Sequence, residues 1–562
     1  MPELSVSRKT IGKLFSDMKN SKFIIPDYQR PYKWDVEKCD ILWNDIINHF
    51  HDNLENNTEK EYFLGTVVTC HNENQKGNIE LIDGQQRVTS FSLLLRAFYK
   101  KLENMKEDDK TVGLKSQIAP CLWDVNPISK KVEDMSKLHI VSNVATESDN
   151  EVFHGILRTG DFNDKAKDRY SLNYKYFYEK CEEYATNNPI QWLSLCVSIL
   201  DTCIVLPIEC DNIDIALTIF STLNDRGMPL SDADIFKAQI YRNKNSEDER
   251  NQFSTDWKEL SEIAEDAGME VNEVFRFYSH YLRGKSNDRS KEIGLRKYYA
   301  KDNFEKLKSD NLINDLTELA QFWYDIYDGE LKNNKITIEA RKYIHCLECY
   351  PNEYWKYVLS VYFFKNRTKN SFDSDFVSML KKLTSFLLVK FVQKPTVNAI
   401  KDDIYLACCD IMQTGVLHFS LQLEETFKTS LLLSTNFKTA KSLILLNAYL
   451  NNKQEKLIPS QFEIEHIFPR VWQQANYNGW DKSDADIYLE KFGNKAPIEK
   501  KINIQAGNGY FGKKKSKYSF SEIAEINQLS NYKSNDWTKE DIELRDKAFA
   551  DNLFDFFTTN LK

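Results

Sequence analysis

Glu465 and His466 lie in the run Glu463-Ile464-Glu465-His466-Ile467-Phe468-Pro469, and Gly493-Asn494 and Asn503 follow downstream. A carboxylate beside an imidazole, with carboxamides to come, is a residue set able to hydrolyse a phosphodiester. The imidazole takes a proton from water, while a divalent cation on the oxygen donors polarises the phosphate and neutralises the leaving oxygen. Asn and carboxylate oxygens with few soft ligands favour Mg²⁺ or Mn²⁺ over zinc. A histidine alone on a strand is more often structural; here the Glu465, Pro469, Gly493-Asn494 and Asn503 context turns the reading toward a nuclease. A second chemical signal lies far upstream, in Asp83-Gly84-Gln85-Gln86-Arg87. Where a turn feeds a helix, free backbone N–H groups and the helix dipole make an anion site. At that mouth Arg87 can fork onto phosphate oxygens, and Gln85 and Gln86 can orient a base, a ribose or a water.

The elements that must position these groups are readable from periodicity. Ile464, His466 and Phe468 alternate with Glu463, Glu465 and Ile467, which predicts a strand ended by Pro469, with His466 and Glu465 on opposite faces. Residues 79–83 read as a strand, Gly84 as a turn residue with positive φ, and Val88 to Leu102 as an apolar-faced helix. Ser231-x-x-Asp234 and Thr538-x-x-Asp541 fit capping boxes, the second opening a helix to Phe557. That closing helix presents Ile542, Leu544, Phe549, Leu553 and Phe556 and is expected to pack beneath the His466 region. Phe304 to Asp328 and Phe376 to Phe391 carry apolar residues at helical spacing. Ile190 to Cys210 reads as a helix end and then a buried strand, because Gln191, Asp201, Glu209 and Pro207 oppose a membrane span.

At 562 residues the chain is expected to form three or four domains. Hydrophobic residues at 41% and charged residues at 28% exclude a disordered or membrane class. A net charge of −9 argues against coating nucleic acid by bulk attraction, so a DNA enzyme needs local basic surface. Lys500-Lys501 and the Lys513 to Lys517 run supply some, and Lys513, Lys514 and Lys515 are the candidate phosphate contacts. Eleven cysteines without framework spacing, and no apolar leader, indicate free thiols in a reducing cytoplasm. Cys346-Leu347-Glu348-Cys349 and Cys408-Cys409 are expected to be core filling.

The Glu465-His466, Gly493-Asn494 and Asn503 set resembles the HNH nuclease superfamily. That resemblance implies His466 as general base, Glu465 and Asn503 as metal ligands, and Asn494 as the residue ordering the loop around the base. Lys495-Ala496-Pro497 departs from the aliphatic run usual there. Ile25 to Trp34, Tyr62 to Val68, Asp83 to Arg87 and Phe220 to Leu230 together look like the N-terminal domain of GmrSD-type, modification-dependent (type IV) restriction endonucleases. The implied fold is α+β and multidomain, with a ParB/sulfiredoxin-like nucleotide-binding domain at 1–245, a helical spacer at 246–430 and an HNH domain at 431–562. The same resemblance implies nucleotide contacts from Tyr28, Gln29, Arg30, Gly84, Gln85, Asn224 and Arg226, with hydrolysis served by Asp83, Gln86 and Arg87. The nucleotide would be GTP, the substrate modified phage DNA, and the enzyme a possible homodimer, since one HNH centre cuts one strand at a time. A modification sensor with a vestigial nuclease, and an indiscriminate DNA or RNA nuclease acting in abortive infection, stay open.

Overall fold

The computed structural model describes the chain apart from residues 1–3, 19–20, 27–28, 72–76, 127, 130, 145–146, 212–214, 217–218, 220–230, 245, 329–335, 420, 475–476, 478 and 562, and the side chains of 147, 247 and 397. It is mixed α+β and divides into two compact units, residues 1–255 and 256–562. The boundary expected near 430 falls inside the second unit. No helix among the described residues is long and apolar enough to cross a membrane.

In the first unit the strands are β1 (Leu4–Val6), β2 (Lys9–Thr10), β3 (Lys22–Ile25), β4 (Tyr62–His71), β5 (Asn78–Asp83), β6 (Ile140–Ser142) and β7 (Cys203–Cys210). They form one sheet in the order β1-β7-β4-β5-β3-β6, with β2 also on β7. β3 runs parallel to β5 and β6, and β4 runs parallel to β7 but antiparallel to β5. Parallel pairing needs crossover helices, which cover the sheet and bury strands such as β7. The helix Gln85–Glu103 leaves β5 through the single residue Gly84, whose φ of 88° only glycine adopts without strain. It therefore starts three residues before the periodicity predicts. Phe91, Leu94, Leu95 and Phe98 are fully buried, each contributing about 1.5–3 kcal/mol over exposure. The helix Trp192–Asp201 followed by β7 answers the helix-then-strand reading of 190–210.

The second unit is mostly helical, including Phe372–Gln393 and Leu312–Tyr327; the latter starts eight residues later than the 304–328 run predicts, because Phe304 takes a left-handed φ of 58° and only a short 3-10 turn follows it. Its two strands, β8 (Phe462–His466) and β9 (Lys495–Glu499), pair antiparallel with Glu465 opposite Ala496 and His466 opposite Lys495. The helix Lys500–Ala506 follows β9 directly, completing a ββα unit, and Phe511–Tyr518 packs beside it. β8 ends two residues before Phe468. The reason is local: Ile467 N–H donates to the Asn494 carbonyl at 2.9 Å and Phe468 N–H to Asn494 Oδ1 at 2.7 Å, which takes both out of the ladder. The closing helix, Lys539–Asn560, opens with the Thr538–Asp541 capping box. Ile542, Phe549, Leu553 and Phe557 form its buried face, while Leu544 is 67% exposed. Two residues from Ile542 is about 200° around a helix, so Leu544 cannot share that face. All cysteines are free, and every one but the half-buried Cys349 is buried.

Candidate active site

His466 ends β8 and is 8% exposed. Its Nε2 lies 3.3 Å from Glu490 Oε1 and accepts from Arg470 Nε at 3.3 Å. Glu490 Oε2 in turn meets Lys495 Nζ at 2.6 Å, and Lys495 is the cross-strand partner of His466. Burial pushes the imidazole down to about 4; Arg470 and Lys495 add to the shift and Glu490 opposes it. The ring is therefore neutral at pH 7, the form a general base requires. Against the upward push of burial, Lys495, His466 and Arg470 hold the Glu490 carboxyl below its ordinary range.

Glu465 points to the other face, as period two demands. It is 3% exposed, and its Oε1 accepts from Lys514 Nζ at 2.7 Å and from Tyr518 OH at 2.5 Å. Lys514 also donates to the His466 and Ile467 carbonyls, at 2.7 and 3.3 Å. Expected as a phosphate contact, Lys514 is instead 1% exposed and braces the end of β8 from within. Lys515 is turned inward as well, donating to the Tyr532 and Ser534 carbonyls, whereas Lys513 is exposed. The helix Phe511–Tyr518 buries one stripe, Phe511, Lys514 and Tyr518, at spacings of three and four. Consecutive lysines thus cannot all face solvent.

Asn503 donates from Nδ2 to Glu463 Oε2 at 2.5 Å and does not bond Glu465. Glu463 and Glu465 share a face of β8. Glu465 Oε2, Asn503 Oδ1 and Glu463 Oε1 make no hydrogen bond among the described residues. Three uncommitted oxygens of this kind fit a hard divalent cation by type. No group of three His, Cys, Asp or Glu residues among the described residues forms a metal cluster; this set is two carboxylates and a carboxamide.

Asn494 is fully buried. Its Nδ2 donates to the Phe468 and Leu489 carbonyls, both at 3.0 Å, while its Oδ1 accepts from Phe468 N–H. Both polar atoms of Phe468 are thus fixed two residues beyond the imidazole. Gly493 makes this approach possible, since a side-chain carbon there would collide with the Ile542 carbonyl. The closing helix grips the same turn: Asp546 Oδ1 accepts from Gly493 N–H at 2.6 Å, and Arg545 donates to the Gly493 and Lys495 carbonyls. Glu490, Lys495, Arg470, Arg545 and Asp546 were not read from sequence. Lys495 alone carried a signal, standing next to Asn494; Arg470 follows four residues after His466, Glu490 arrives as the chain returns to β9, and Arg545 and Asp546 come from the closing helix.

In the first unit Asp83 Oδ1 accepts from Gly84 N–H at 2.7 Å. Burial raises the Asp83 carboxyl, opposed by Arg87, by that N–H and by Arg30. Arg87, expected to fork onto phosphate, instead directs Nη1 to the Leu64 and Thr66 carbonyls at 2.9 and 3.0 Å. Gly65, with φ of 112°, leaves room for that guanidinium. Gln86 is a clasp on the preceding loop: its Oε1 accepts from Lys33 and Trp34 N–H at 2.7 and 3.3 Å, and its Nε2 donates to the Pro31 carbonyl at 3.0 Å. Gln85 Nε2 donates to Gln29 Oε1 at 3.2 Å. Arg30 Nε is buried with no hydrogen-bond partner among the described residues, so Arg30 keeps a donor to offer. Tyr28, Asn224 and Arg226 lie outside the described residues.

Two family models match the chain. The GmrSD restriction endonuclease N-terminal domain matches residues 11–241, and the GmrSD restriction endonuclease C-terminal domain matches residues 420–552. No curated protein matches it. Asp83 with strands β3 to β7 falls within the first segment and the ββα unit carrying His466 within the second, and the two segments together cover nearly two thirds of the sequence. The chain therefore belongs to the GmrSD restriction endonuclease family and is a nuclease that acts on DNA in restriction.

Proposed function

We propose that the second unit is a metal-dependent HNH endonuclease, controlled by a nucleotide bound to the first unit and directed at modified foreign DNA, such as that of phage, in the cytoplasm. The observation that carries this reading is the ββα unit of β8, β9 and the helix Lys500–Ala506, which gathers the buried His466, the Asn494 turn and Asn503 within the segment matched by the restriction endonuclease C-terminal domain. In the mechanism His466 removes the proton from an attacking water. Asn494 fixes the peptide beyond the ring, and Glu490 with Lys495 limits the ring's rotation. Glu465, Asn503 and Glu463 would hold Mg²⁺ or Mn²⁺, which when bound would supply charge neutralisation at the phosphate; since both carboxylates face away from the imidazole, the phosphate has to span the end of β8. Lys513, the exposed lysine of its run, is the candidate phosphate contact. Double-strand cleavage needs a homodimer or two successive nicks.

The test compares genomic DNA of phages with and without base modification, with each nucleoside triphosphate and each divalent cation varied in turn and an RNA substrate in parallel. The reading predicts cleavage of modified DNA only, requiring a divalent cation and responding to one nucleotide. Binding of modified DNA without any nicking would leave a sensor in its place, and equal cutting of RNA and unmodified DNA would leave an indiscriminate nuclease.

The pH dependence is a separate prediction. With its imidazole near 4 rather than 6.5, His466 is about 97% neutral at pH 5.5, where an ordinary histidine is about 10% neutral. Cleavage is therefore expected to hold its pH 7 rate down to about pH 5 under single-turnover conditions. An acid limb centred near 6.5 would show that the base is not this ring in this environment.

At the first site, Asp83 with Arg30 and the N-terminus of Gln85–Glu103 forms the proposed nucleotide seat. Asp83→Asn and Arg30→Ala are each expected to lower nucleotide turnover by about tenfold or more while thermal unfolding stays unchanged. Full turnover in both would remove the nucleotide assignment. Gln86 and Arg87 substitutions are expected to act through the fold as well, because both side chains brace backbone.

A further inference from the structure

Behind the Gly493-Asn494 turn lies a cavity of about 340 Å³ that the hydrolytic chemistry does not use. It is bounded by the helices Ala440–Tyr449, Ala524–Ser530 and Lys539–Asn560 and by the start of β9. Four carboxamides, from Asn447, Asn451, Gln528 and Asn552, stand around it. Asn451 Nδ2 donates to Gln528 Oε1 at 3.1 Å, and Asn552 Nδ2 donates to Asn447 Oδ1 at 3.3 Å. Those bonds leave the Gln528 and Asn447 amide N–H groups and Asn552 Oδ1 unengaged among the described residues. Phe492 and Phe549, stacked at 4.4 Å with their planes 14° apart, supply an apolar floor. Glu525 closes one wall. One of its oxygens pairs with Arg545.

We infer that this cavity is a binding pocket for a nucleobase carrying an exocyclic amino group. Its charges are internally balanced, Arg545 by Glu525 and Lys495 by Glu490, so it offers a phosphate no unpaired cation. What it offers instead is an apolar floor with donors and acceptors at the rim. A planar heterocycle with both kinds of group on one edge satisfies that set, an amino group meeting Asn552 Oδ1 and ring acceptors meeting the Gln528 and Asn447 amides. The volume admits a whole nucleoside. The pocket also borders the working loop, because Arg545 holds the carbonyls on either side of Asn494. A base seated against Phe549 and Asn552 packs on the helix that carries Arg545 and so bears on the turn that sets Phe468 beyond His466. Such a base comes either as a free nucleoside, acting as an effector, or from a single strand of the substrate. The strand-borne case rests on the nuclease reading.

The experiment is equilibrium dialysis of the full chain, without divalent cation so that nothing is cut. The probes are labelled cytidine, adenosine, guanosine and thymidine, and single-stranded octanucleotides of each base. The expected result is saturable binding of an amino-bearing base over thymidine, weakened at least tenfold by Asn552→Leu, a change at an exposed position that leaves the Arg545 grip intact, and also weakened by Gln528→Leu. Binding of the free nucleoside identifies an effector, and binding of the oligonucleotide alone identifies a strand base. No saturable binding by either probe set, or binding within twofold of the parent in both variants, overturns the inference. That failure leaves cleavage by the parent enzyme untouched, so it is distinguishable from failure of the nuclease reading.

Discussion

His466→Ala cuts DNA about 10²–10⁴ times more slowly than the parent, the rate a positioned general base contributes. The loss is in the chemical step, so it appears in single-turnover rates with saturating enzyme, where binding and product release do not intervene. Two controls give the result its meaning. Nucleotide turnover by the first unit stays at the parent value, since Asp83 and Arg30 lie in the other compact unit. Stability at neutral pH does not fall through any lost charge, because the ring is already neutral there. Below pH 6.5 the sign reverses in favour of the variant. A folded-state imidazole near 4 against an ordinary 6.5 makes the parent lose on the order of 3 kcal/mol as pH falls through that window, and the alanine variant does not lose that contribution. Parent-like cleavage by His466→Ala would move the catalytic base to another residue.

Lys514→Met is expected to cost about 3–5 kcal/mol of unfolding free energy, the range for stranding one member of a buried ion pair. Glu465 then keeps only Tyr518, and the His466 and Ile467 carbonyls lose a shared donor. Chemical denaturation monitored by tryptophan fluorescence measures the change. The double variant Lys514→Met with Glu465→Leu separates architecture from chemistry. Replacing both charges by apolar groups is expected to restore part of the stability, since no buried carboxylate remains, yet cleavage stays lost if Glu465 serves the metal. A destabilisation under about 1 kcal/mol in the single variant would mean that the ammonium does not hold this strand end.

The capping boxes at Ser231 and Thr538, the turn at Gly84 and the helix that follows it were legible in the sequence because each is set by neighbours within four residues. The alternation that separates His466 from Glu465 is equally local. What escaped is everything set by register or by distant chain. The run Lys513-Lys514-Lys515 carries no mark saying that its middle member faces inward; only the pairing of its helix with the end of β8 decides that. Arg87 looks like a phosphate clamp until β4 is placed beside β5, where Gly65 opens space for the guanidinium and two carbonyls take it up. Gln86 reads as a ligand-facing amide, yet its donors and acceptors match the backbone of residues 31–34. Glu490 reaches His466 only because β9 returns antiparallel after a long excursion.

The turn that frames Asn494 is gripped by Arg545 and Asp546, more than fifty positions further along the chain. A ribosome must therefore finish and release the closing helix before that frame can close. Nascent chains stalled upstream of Lys539 carry β8, β9 and the imidazole but none of the clamp. Translation order thereby leaves the Asn494 turn unframed until the last helix has been made.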